Sequence, residues 1–303
     1  MSASVLVPGS RKGADSMQRA ALKGRSLWDD ALRRLLRNRG AVAGMIVLGL
    51  LVAVAAAGPY LAPFRYDAVN KSDVWLAPLQ HGHLFGTDAL GRDLLARLLM
   101  GLRVSLAIGL VATVVSLVIG VAWGAVAGFV GGRLDEAMMR FVDVLYSLPF
   151  IFFVILLMVT FGSNFILIFV AIGAVEWLTM SRIVRGQTLT LKHKEFVEAA
   201  RAAGLTSGGI IARHIVPNLL GPVVVYVTLT IPAVILAESF LSFLGLGVQP
   251  PMASLGTLIA HGALDMELAP WLLIFPSAVM VVTLMSFNFI GDGLRDAIDP
   301  KDR

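Results

Sequence analysis

Two carboxylate side chains lie inside long apolar stretches of this 303-residue sequence, and they are its first candidates for chemistry. A charge deep in a bilayer is costly, so Glu176 and Glu238 indicate a polar path or an internal ion pair. Ser239 and Ser242 place hydroxyl groups beside Glu238, which favours a position on a translocation pathway. For Glu176, a pathway position and an ion pair with arginines a few residues further on are equally favoured. Neither residue has a pattern that indicates catalysis.

The sequence lacks the residues that several other chemistries need. It has no cysteine, which excludes disulfides, thiol catalysis and cysteine-bound zinc. His81 and His83 lie close together, but no third ligand follows at metal-site spacing, so we interpret them as a polar pair in a loop and expect no metal. A GxxxxGKS or GxxxxGKT motif is absent, so the chain is not expected to hydrolyse ATP itself. Basic and aromatic residues are not interleaved, and nucleic acid is not an expected partner.

A polar stretch, Glu195–Pro217, separates two long apolar runs and is predicted to form a small exposed helix. Strong helix formers fill Glu195–Ala203, and Gly204 stands where a residue with a left-handed backbone would end that helix. Thr206 or Ser207 can cap a second short helix that leads into the next apolar run. Another protein could approach the first helix closely, although composition alone favours a solvated connector. The small residues that permit this approach are Ala199, Ala200, Ala202 and Ala203.

The composition is that of a membrane protein. Hydrophobic residues make up 57% of the chain, charged residues make up 15%, and the mean hydropathy is +0.81. A helix needs about 20 mostly apolar residues to cross the hydrocarbon core. Six stretches of suitable length predict an all-α membrane protein with six transmembrane helices. The predicted spans are Ala41–Leu61, Val104–Val130, Phe141–Phe161, Phe165–Ile183, Ile215–Leu244 and Trp271–Ile290.

Lysines and arginines are distributed unevenly between the two sides of these spans. Six spans put both termini on one side, together with residues 184–214. All but five of the 25 lysines and arginines fall on that side, which the positive-inside tendency assigns to the cytoplasm. The exceptions are Arg65, Lys71, Arg92, Arg97 and Arg103. The first residues are polar and contain no apolar run before a cleavage site, so no signal peptide is expected.

Three regions follow from these patterns. Residues 1–24 are polar and unpatterned, and we interpret them as a flexible cytoplasmic tail. Residues 25–40 have apolar and basic faces at helical spacing, which predicts an interfacial amphipathic helix against membrane lipids, although a simple anchor for the first span fits equally. Residues 41–303 form the predicted transmembrane domain, with an outer loop at 62–100 and an exposed central loop at 184–214.

Local patterns make three further predictions. The outer loop can end in a capped helix in which Asp93 and Arg97 pair at i,i+4. The prolines of the fifth span, among them Pro222 and Pro232, predict a bent helix. The apolar run Leu255–Ala260 is too short to cross a bilayer and is expected to fold back on the outer face.

Several motifs resemble those of one transporter family. The polar stretch is similar to the EAA loop of the membrane subunits of binding-protein-dependent ABC importers, in the order Glu198, Ala199, Ala200, Gly204 and Pro217. It departs from the usual pattern at His214, where isoleucine is common. The segments GTDALGRD, GLRVSL and GDGLRDAIDPKDR resemble the C-type permeases of dipeptide, oligopeptide and nickel importers, the oligopeptide branch most of all. The resemblance runs from about Arg25 to Arg303.

The resemblance implies a type I ABC importer permease architecture with a cytoplasmic coupling helix in the loop at 184–214. It assigns the ATPase contact to Glu195, Glu198, Ala199, Ala200, Gly204 and Pro217. The implied partners are a second homologous permease that forms a heterodimer, two cytosolic ATPase subunits that bind ATP and Mg²⁺, and a periplasmic peptide-binding protein. The implied activity is import of oligopeptides or dipeptides across the bacterial inner membrane, with no catalysis and no cofactor in this chain.

Three alternatives stay open at this point. Nickel, haem or antimicrobial-peptide transport within the same family is the nearest. A proton-coupled secondary transporter needs a relay of several buried ionisable residues, and the predicted spans offer only two candidates, Glu176 and Glu238. A structural or signalling membrane protein leaves the EAA-like loop without an explanation.

Overall fold

A computed structural model describes residues 27–161 and 165–298 of the chain. The regular elements in these two ranges are helices, and extended pairing is limited there to two isolated bridges, Gln80 with His83 and Thr87 with Asp93. The prediction of an all-α protein is therefore confirmed. The predicted flexible tail at 1–24 and the last residues of the C-terminal motif, 299–303, lie outside the described residues.

Two helices occupy the region of the amphipathic element predicted at residues 25–40. The first, α1, covers Leu27–Arg37, and the second, α2, covers Arg39–Leu61. Asn38 stands between them with an extended backbone, and its Oδ1 accepts hydrogen bonds from two N–H groups of the first turn of α2, at 3.0 and 3.2 Å. This side-chain cap begins α2 and separates it from α1.

The longest helix, α3, covers Leu94–Val130 and begins well before the predicted start at Val104. The reason is Asp93, whose Oδ1 accepts a hydrogen bond from the N–H of Ala96 (2.7 Å) and caps the helix. At 1.5 Å per residue, a helix of this length extends about 55 Å, whereas the hydrocarbon core of a bilayer is about 30 Å thick. At least one end of α3 therefore extends beyond an apolar layer.

The third predicted span, Phe141–Phe161, is not one straight helix. Instead, α4 covers Gly132–Ser147, α5 covers Phe150–Phe161, and the two meet at 85°. Leu148 between them is extended, because the ring of Pro149 disfavours a helical backbone in the preceding residue. The apolar run continues through the break, so hydropathy alone does not show it.

The next helix, α6, covers Phe165–Leu191 and packs along α3 more extensively than any other pair of described helices. Glycines at every fourth position of α3 allow this approach. A Cβ atom at Gly124 would lie 2.9 Å from the backbone nitrogen of Arg185, and one at Gly128 would lie 2.9 Å from the carbonyl oxygen of the same residue. Small residues at this spacing let two helices approach at backbone distance.

The polar stretch forms the two predicted short helices. They are α7, Glu195–Ala202, and α8, Ser207–Ile210, and a π-helical turn, Ile211–Ile215, follows α8 directly. Thr206 caps α8, as predicted, because its hydroxyl accepts a hydrogen bond from the N–H of Gly209 (3.3 Å). The π-helical turn carries the chain into the next long helix without a loop.

The last three helices complete the domain. The first of them, α9, covers Val216–Phe243 and runs without a break past Pro222 and Pro232, so the prolines do not divide this span. It is followed by α10, Leu255–Leu264, and by α11, Trp271–Ile298. The apolar helix α10 is too short to cross a bilayer, as predicted for this segment.

Four stretches of described helix are long and apolar enough to cross a membrane: Arg39–Leu61, Leu94–Val130, Ser207–Phe243 and Trp271–Ile298. The bent pair of α4 and α5 makes a fifth if it counts as one span. Buried apolar clusters join these helices, one of them around Ile108 and Leu241 and another around Val197 and Ile215. The second cluster ties the short helix α7 to the long helices.

Candidate functional site

The short helix α7 turns one face to the protein and another to solvent. Val197 is fully buried and Ala200 is 7% exposed, and both pack among apolar residues of α3, α6 and α9. Positions three apart lie on the same side of a helix, which is why these two residues share the buried face. Glu195, Glu198 and Ala199 are exposed. The buried face fixes α7 to the helical domain, and the exposed face is open to a partner.

Ala200 is separated by this geometry from the other residues predicted to contact an ATPase. Its side chain faces the apolar cluster around Ile215, so no partner can reach it without displacing α7. Sequence reasoning missed Phe196, a large apolar side chain that is 38% exposed on α7. An aromatic residue in an otherwise polar loop is the signal that marks it, because such a residue is favoured at protein interfaces.

Gly204 ends α7 with a left-handed backbone, at φ +81°, as predicted. Its N–H donates to the carbonyl of Arg201 (3.0 Å), and the N–H of Leu205 donates to the carbonyl of Ala200 (3.2 Å). Nothing lies within 4 Å of a Cβ atom built at Gly204. The backbone conformation, and not a lack of space, therefore requires glycine at this position.

Pro217 lies apart from α7, in the first turn of α9 beyond the π-helical turn, and is exposed. His214, where the sequence departs from the usual EAA pattern, lies close to Phe196, with ring centroids 6.5 Å apart. The Nδ2 of Asn218 donates a hydrogen bond to the carbonyl of His214 (2.7 Å). His214 and Phe196 thus extend the exposed surface of α7 toward the start of α9.

Two cationic side chains hold the loop to the end of α3. The Nζ of Lys192 donates a hydrogen bond to the carbonyl of Gly128 (3.2 Å). The guanidinium of Arg201 lies 5.5 Å from the ring centroid of Phe129, within cation–π range. Together with the buried face of α7, these contacts connect any displacement of the loop to α3.

Glu238 is fully buried between α9 and the start of α10. Its Oε1 accepts hydrogen bonds from the hydroxyls of Ser242 (2.6 Å) and Ser254 (2.7 Å). Ser254 is also the N-cap of α10, and the next N–H, that of Leu255, donates to the hydroxyl of Ser105 in α3 (2.9 Å). In this conformation the buried carboxylate joins α9 to the start of α10, and its position on a pathway stays a prediction.

The two serines near Glu238 have different partners. Ser242 is 6% exposed and bonds to the carboxylate. The hydroxyl of Ser239 instead donates to the carbonyl of Ile235 within α9 (2.8 Å). Ser239 is therefore not part of the buried network, although it lies next to Glu238 in sequence.

Glu176 is partly buried in α6, and the arginines that follow it are bound elsewhere. Arg182 donates to the carboxylate of Asp143 (2.7 Å), and Arg185 donates to both oxygens of Asp135 (2.5 and 2.7 Å). The alternative in which these arginines pair with Glu176 is therefore wrong for the described structure. A position on the pathway stays a prediction for Glu176.

The segment before α3 corrects a predicted ion pair. Asp93 does not pair with Arg97, because it precedes the helix as its cap, and its Oδ2 lies 2.8 Å from Nδ1 of His83. Arg97 lies instead beside Asp88, with 3.4 Å between Nε and Oδ2. The i,i+4 rule requires both residues to be helical, and Asp93 is not.

The two neighbouring histidines both lie near Asp73, and Nε2 of His83 is 3.8 Å from its Oδ2, but their surroundings differ. His81 is exposed and lies 2.9 Å from the carboxylate of Asp73. His83 is 4% exposed and stacks on Phe64, with ring centroids 4.2 Å apart. Across residues 27–161 and 165–298, no group of three or more histidine, cysteine or acidic side chains is arranged to hold a metal ion.

Long apolar helices joined by buried clusters, with a short helix exposed at one end, define a multi-pass membrane protein. The family model of the binding-protein-dependent transport system inner membrane component matches residues 120–303. A second model, the N-terminal TM domain of oligopeptide transport permease C, matches residues 26–78. The chain belongs to the family of binding-protein-dependent transport system inner membrane components.

The alignments with similar proteins extend over almost the whole chain. The sequence is 55% identical over 299 residues to the oligopeptide transport system permease protein OppC of Escherichia coli (strain K12), across 97% of this chain and 99% of that protein. It is 54% identical over 291 residues to the protein of the same name from Haemophilus influenzae, across 96% of this chain and 94% of that protein. An inward-facing structure of the MetNI methionine ABC transporter matches with a TM-score of 0.54 and 20% identity, across 68% of this chain and 96% of that one. At this identity the structural likeness shows the fold alone.

Proposed function

We propose that this chain is the C-type permease subunit of a peptide ABC importer, which translocates oligopeptides or dipeptides and is driven by ATP hydrolysis in partner subunits. The observation that carries the proposal is the division of α7 into two faces. Glu198 and Ala199 are exposed, whereas Val197 and Ala200 are packed into the helical domain. The similarity to oligopeptide permeases over nearly the full length supports the substrate class.

The proposed topology has six spans, in which the bent pair of α4 and α5 forms the third and α6 forms the fourth. Both termini and α7 then lie in the cytoplasm of a bacterial cell, and the segment 62–93 and α10 lie on the periplasmic side. The distribution of lysines and arginines along the sequence supports this orientation. The likeness to an ABC importer fold supports a type I arrangement.

In this proposal α7 is the coupling helix and docks on a cytosolic ATPase. ATP and Mg²⁺ would be bound by two ATPase subunits, and their closure would displace α7. Val197 and Ala200 would pass the displacement to α3 and α9, because a close-packed interior transmits strain. This chain would contribute half of the passage and the conformational change, and no catalytic group.

Two further partners belong to this proposal. Large apolar side chains such as Ile46, Leu110 and Phe152 are exposed along the helices and need lipid or protein contact, which supports a heterodimer with a second homologous permease. A periplasmic peptide-binding protein would deliver peptide on the side of the segment 62–93.

Membrane lipids are the proposed environment of α1. Leu32 and Leu36 are 55% and 56% exposed, and Leu35 between them is buried against Ala297. The exposed leucines and the arginines of this helix support an interfacial position with basic groups toward anionic headgroups. The division into a tail at 1–24, an interfacial region at 25–40 and a transmembrane domain at 41–303 remains part of this proposal.

Leucine replacements on the two faces of α7 test the coupling role. The complete complex is reconstituted in liposomes, and peptide uptake and peptide-stimulated ATPase activity are measured with the binding protein added. Ala199→Leu should reduce both activities at least about tenfold with an unchanged melting temperature, because it changes only the docking surface. Ala200→Leu should lower the melting temperature, because it overpacks a buried position.

Ala57→Leu serves as the control, since Ala57 is exposed in α2 and lies outside the α7 loop. It should behave like the wild type in both assays. Full coupling in the Ala199→Leu variant would remove α7 as the docking element. Stimulation by nickel or haem carriers in place of peptide would favour the other substrates of the family, and uptake driven by a proton gradient without ATPases would favour a secondary transporter.

A further inference from the structure

A charged pocket lies at the opposite end of α3 from α7. The segment 88–92, the first turn of α3, α10 and the start of α11 line a cavity of about 200 Å³ that is open to solvent on one side. Its ionisable lining residues are Asp88, Arg92, Arg97, His261 and Asp265. Its apolar wall is formed mostly by four leucines: Leu94, Leu258, Leu264 and Leu272. The pocket therefore combines a charged wall with an apolar one.

The guanidinium of Arg97 lacks a full set of partners. Arg97 is 2% exposed, yet its Nη1 has no hydrogen-bond partner among the residues that the structure describes. Its Nε lies 3.4 Å from Oδ2 of Asp88, too long for a strong hydrogen bond. A buried charge without full pairing is costly, so this guanidinium favours an added acceptor.

The carboxylates of the pocket do not supply that acceptor. Oδ1 of Asp88 already accepts hydrogen bonds from two backbone N–H groups of its own loop (2.9 and 3.0 Å). Its Oδ2 accepts a hydrogen bond from Nε of Arg92 (2.8 Å). Asp265 makes no ion pair with either arginine within the described ranges. Partial burial and the charges of Arg97 and Arg92 lower the pKa of His261, so its imidazole is neutral near pH 7. The pocket thus has donor capacity that its own side chains leave unused.

We propose that this pocket binds the C-terminal residue of a peptide, with its carboxylate at Arg97 and Arg92 and its side chain against the leucine wall. Two carboxylate oxygens match the planar donor pair of a guanidinium. A terminal residue with an apolar side chain uses both walls, whereas an acidic side chain of a docking protein would leave the leucines uncovered. The inference rests on the proposed function, under which the pocket opens on the side where peptide arrives.

Direct binding to the purified complete complex in nanodiscs tests the inference. The binding protein is left out, so its own selectivity does not enter. The probes are N-acetyl-leucine, which has a carboxylate and an apolar side chain, and N-acetyl-leucinamide, which has no charge. Titration calorimetry should give at least about tenfold tighter binding of the acid. Equal binding of the two probes, or no binding of the acid, overturns the proposal.

Two pocket variants and a control locate the binding. Arg97→Lys keeps the buried charge but loses the planar donor pair, and Arg92→Gln removes the second cation. Each should weaken binding of the acid about tenfold and leave binding of the amide unchanged. Arg103→Gln changes an exposed arginine beside Tyr60, outside the pocket, and should bind the acid like the wild type. Unchanged binding of the acid by both pocket variants overturns the proposal.

A second assay separates this inference from the proposed function. The binding protein and peptide are added to the same complex, and ATPase activity is measured. A wild type without stimulation contradicts the proposed function, while the preference for acid over amide still decides the role of the pocket. If the acid does not bind but Arg92→Gln abolishes stimulation, the pocket receives an acidic side chain of the binding protein, and the peptide proposal is overturned.

Discussion

Arg185 and Asp135 form a two-bond ion pair between helices, although fifty residues separate them in sequence. Nε donates to Oδ1 (2.5 Å), and Nη2 donates to Oδ2 (2.7 Å). Asp135 is 8% exposed, so solvent is largely excluded from one side of the pair. The planar match of guanidinium and carboxylate fixes both distance and orientation. The pair therefore holds α4 in a defined position against α6.

A double-mutant cycle of Asp135→Asn and Arg185→Gln should give a coupling free energy of about 1 kcal/mol, reduced from the value of a buried pair because Arg185 is partly exposed. Unfolding of the purified protein in detergent measures it. The matched control is Glu136 with Arg140 in α4, which are 3.7 Å apart and largely exposed. That cycle should give a coupling near zero, and equal coupling in the two cycles would contradict the prediction.

The difference between these two pairs also shows what sequence can predict. Glu136 and Arg140 are four residues apart in one helix, so spacing alone places them together. The partner of Arg185 depends on how α4 folds back along α6, which no local pattern contains. For the same reason the i,i+4 spacing wrongly predicted Asp93 as the partner of Arg97. The observed partner, Asp88, lies in the loop before α3.

Gly204→Ala should weaken coupling and leave the transmembrane domain folded. A residue with a Cβ atom at φ +81° is strained by about 1 kcal/mol. This strain destabilises the turn that positions α7. Gly208→Ala is a matched control, because a Cβ atom there also meets nothing within 4 Å but the backbone is helical. Peptide-stimulated ATPase activity of the complete complex should fall only in the Gly204 variant. Equal loss in both variants would show that the left-handed backbone is not the cause.

The turn at Gly204 could be predicted because one residue type determines it: only glycine adopts this backbone without strain. The surroundings of Glu238 could not, because Ser254 is sixteen residues further on and reaches the carboxylate through the packing of α10 on α9. The bend at Pro149 lies between these cases. Pro149 is visible in the sequence, but the apolar run continues on both sides of it, so hydropathy does not show that the helix breaks there.

Glu238→Ala should destabilise the junction of α9 and α10 by about 1–3 kcal/mol, because the buried hydroxyls of Ser242 and Ser254 lose their acceptor. Glu238→Gln keeps one oxygen and should cost less. Thermal unfolding of the purified protein measures both. Ser239→Ala is the control, since that hydroxyl donates to the carbonyl of Ile235 and weakly to the sulfur of Met280 (3.8 Å), outside the network of Glu238, and its loss should matter little. A Glu238→Ala variant with wild-type stability but impaired transport would favour the pathway role.

His261 should make stability depend on pH. Burial lowers the pKa of its imidazole below 6.5, and the charges of Arg97 and Arg92 lower it further. The carboxylates of Asp88 and Asp265 raise the pKa, but they offset only part of this lowering. As the pH falls through about 6.5, the unfolded chain therefore takes up a proton before the folded chain does. Stability should be complete above this pH and should decline below it, until the folded imidazole is also protonated.

Melting temperatures from about pH 5 to about pH 8 test this expectation, because the pH slope of stability counts the difference in bound protons. The wild type should lose more stability on acidification than His261→Gln, and the two should converge above about pH 7. The difference should be modest, since His261 remains exposed to solvent and its charge is screened there. His193→Gln, a replacement in the exposed loop before α7, should keep the wild-type slope. If His261→Gln also kept the full slope, acid sensitivity would arise from groups other than His261.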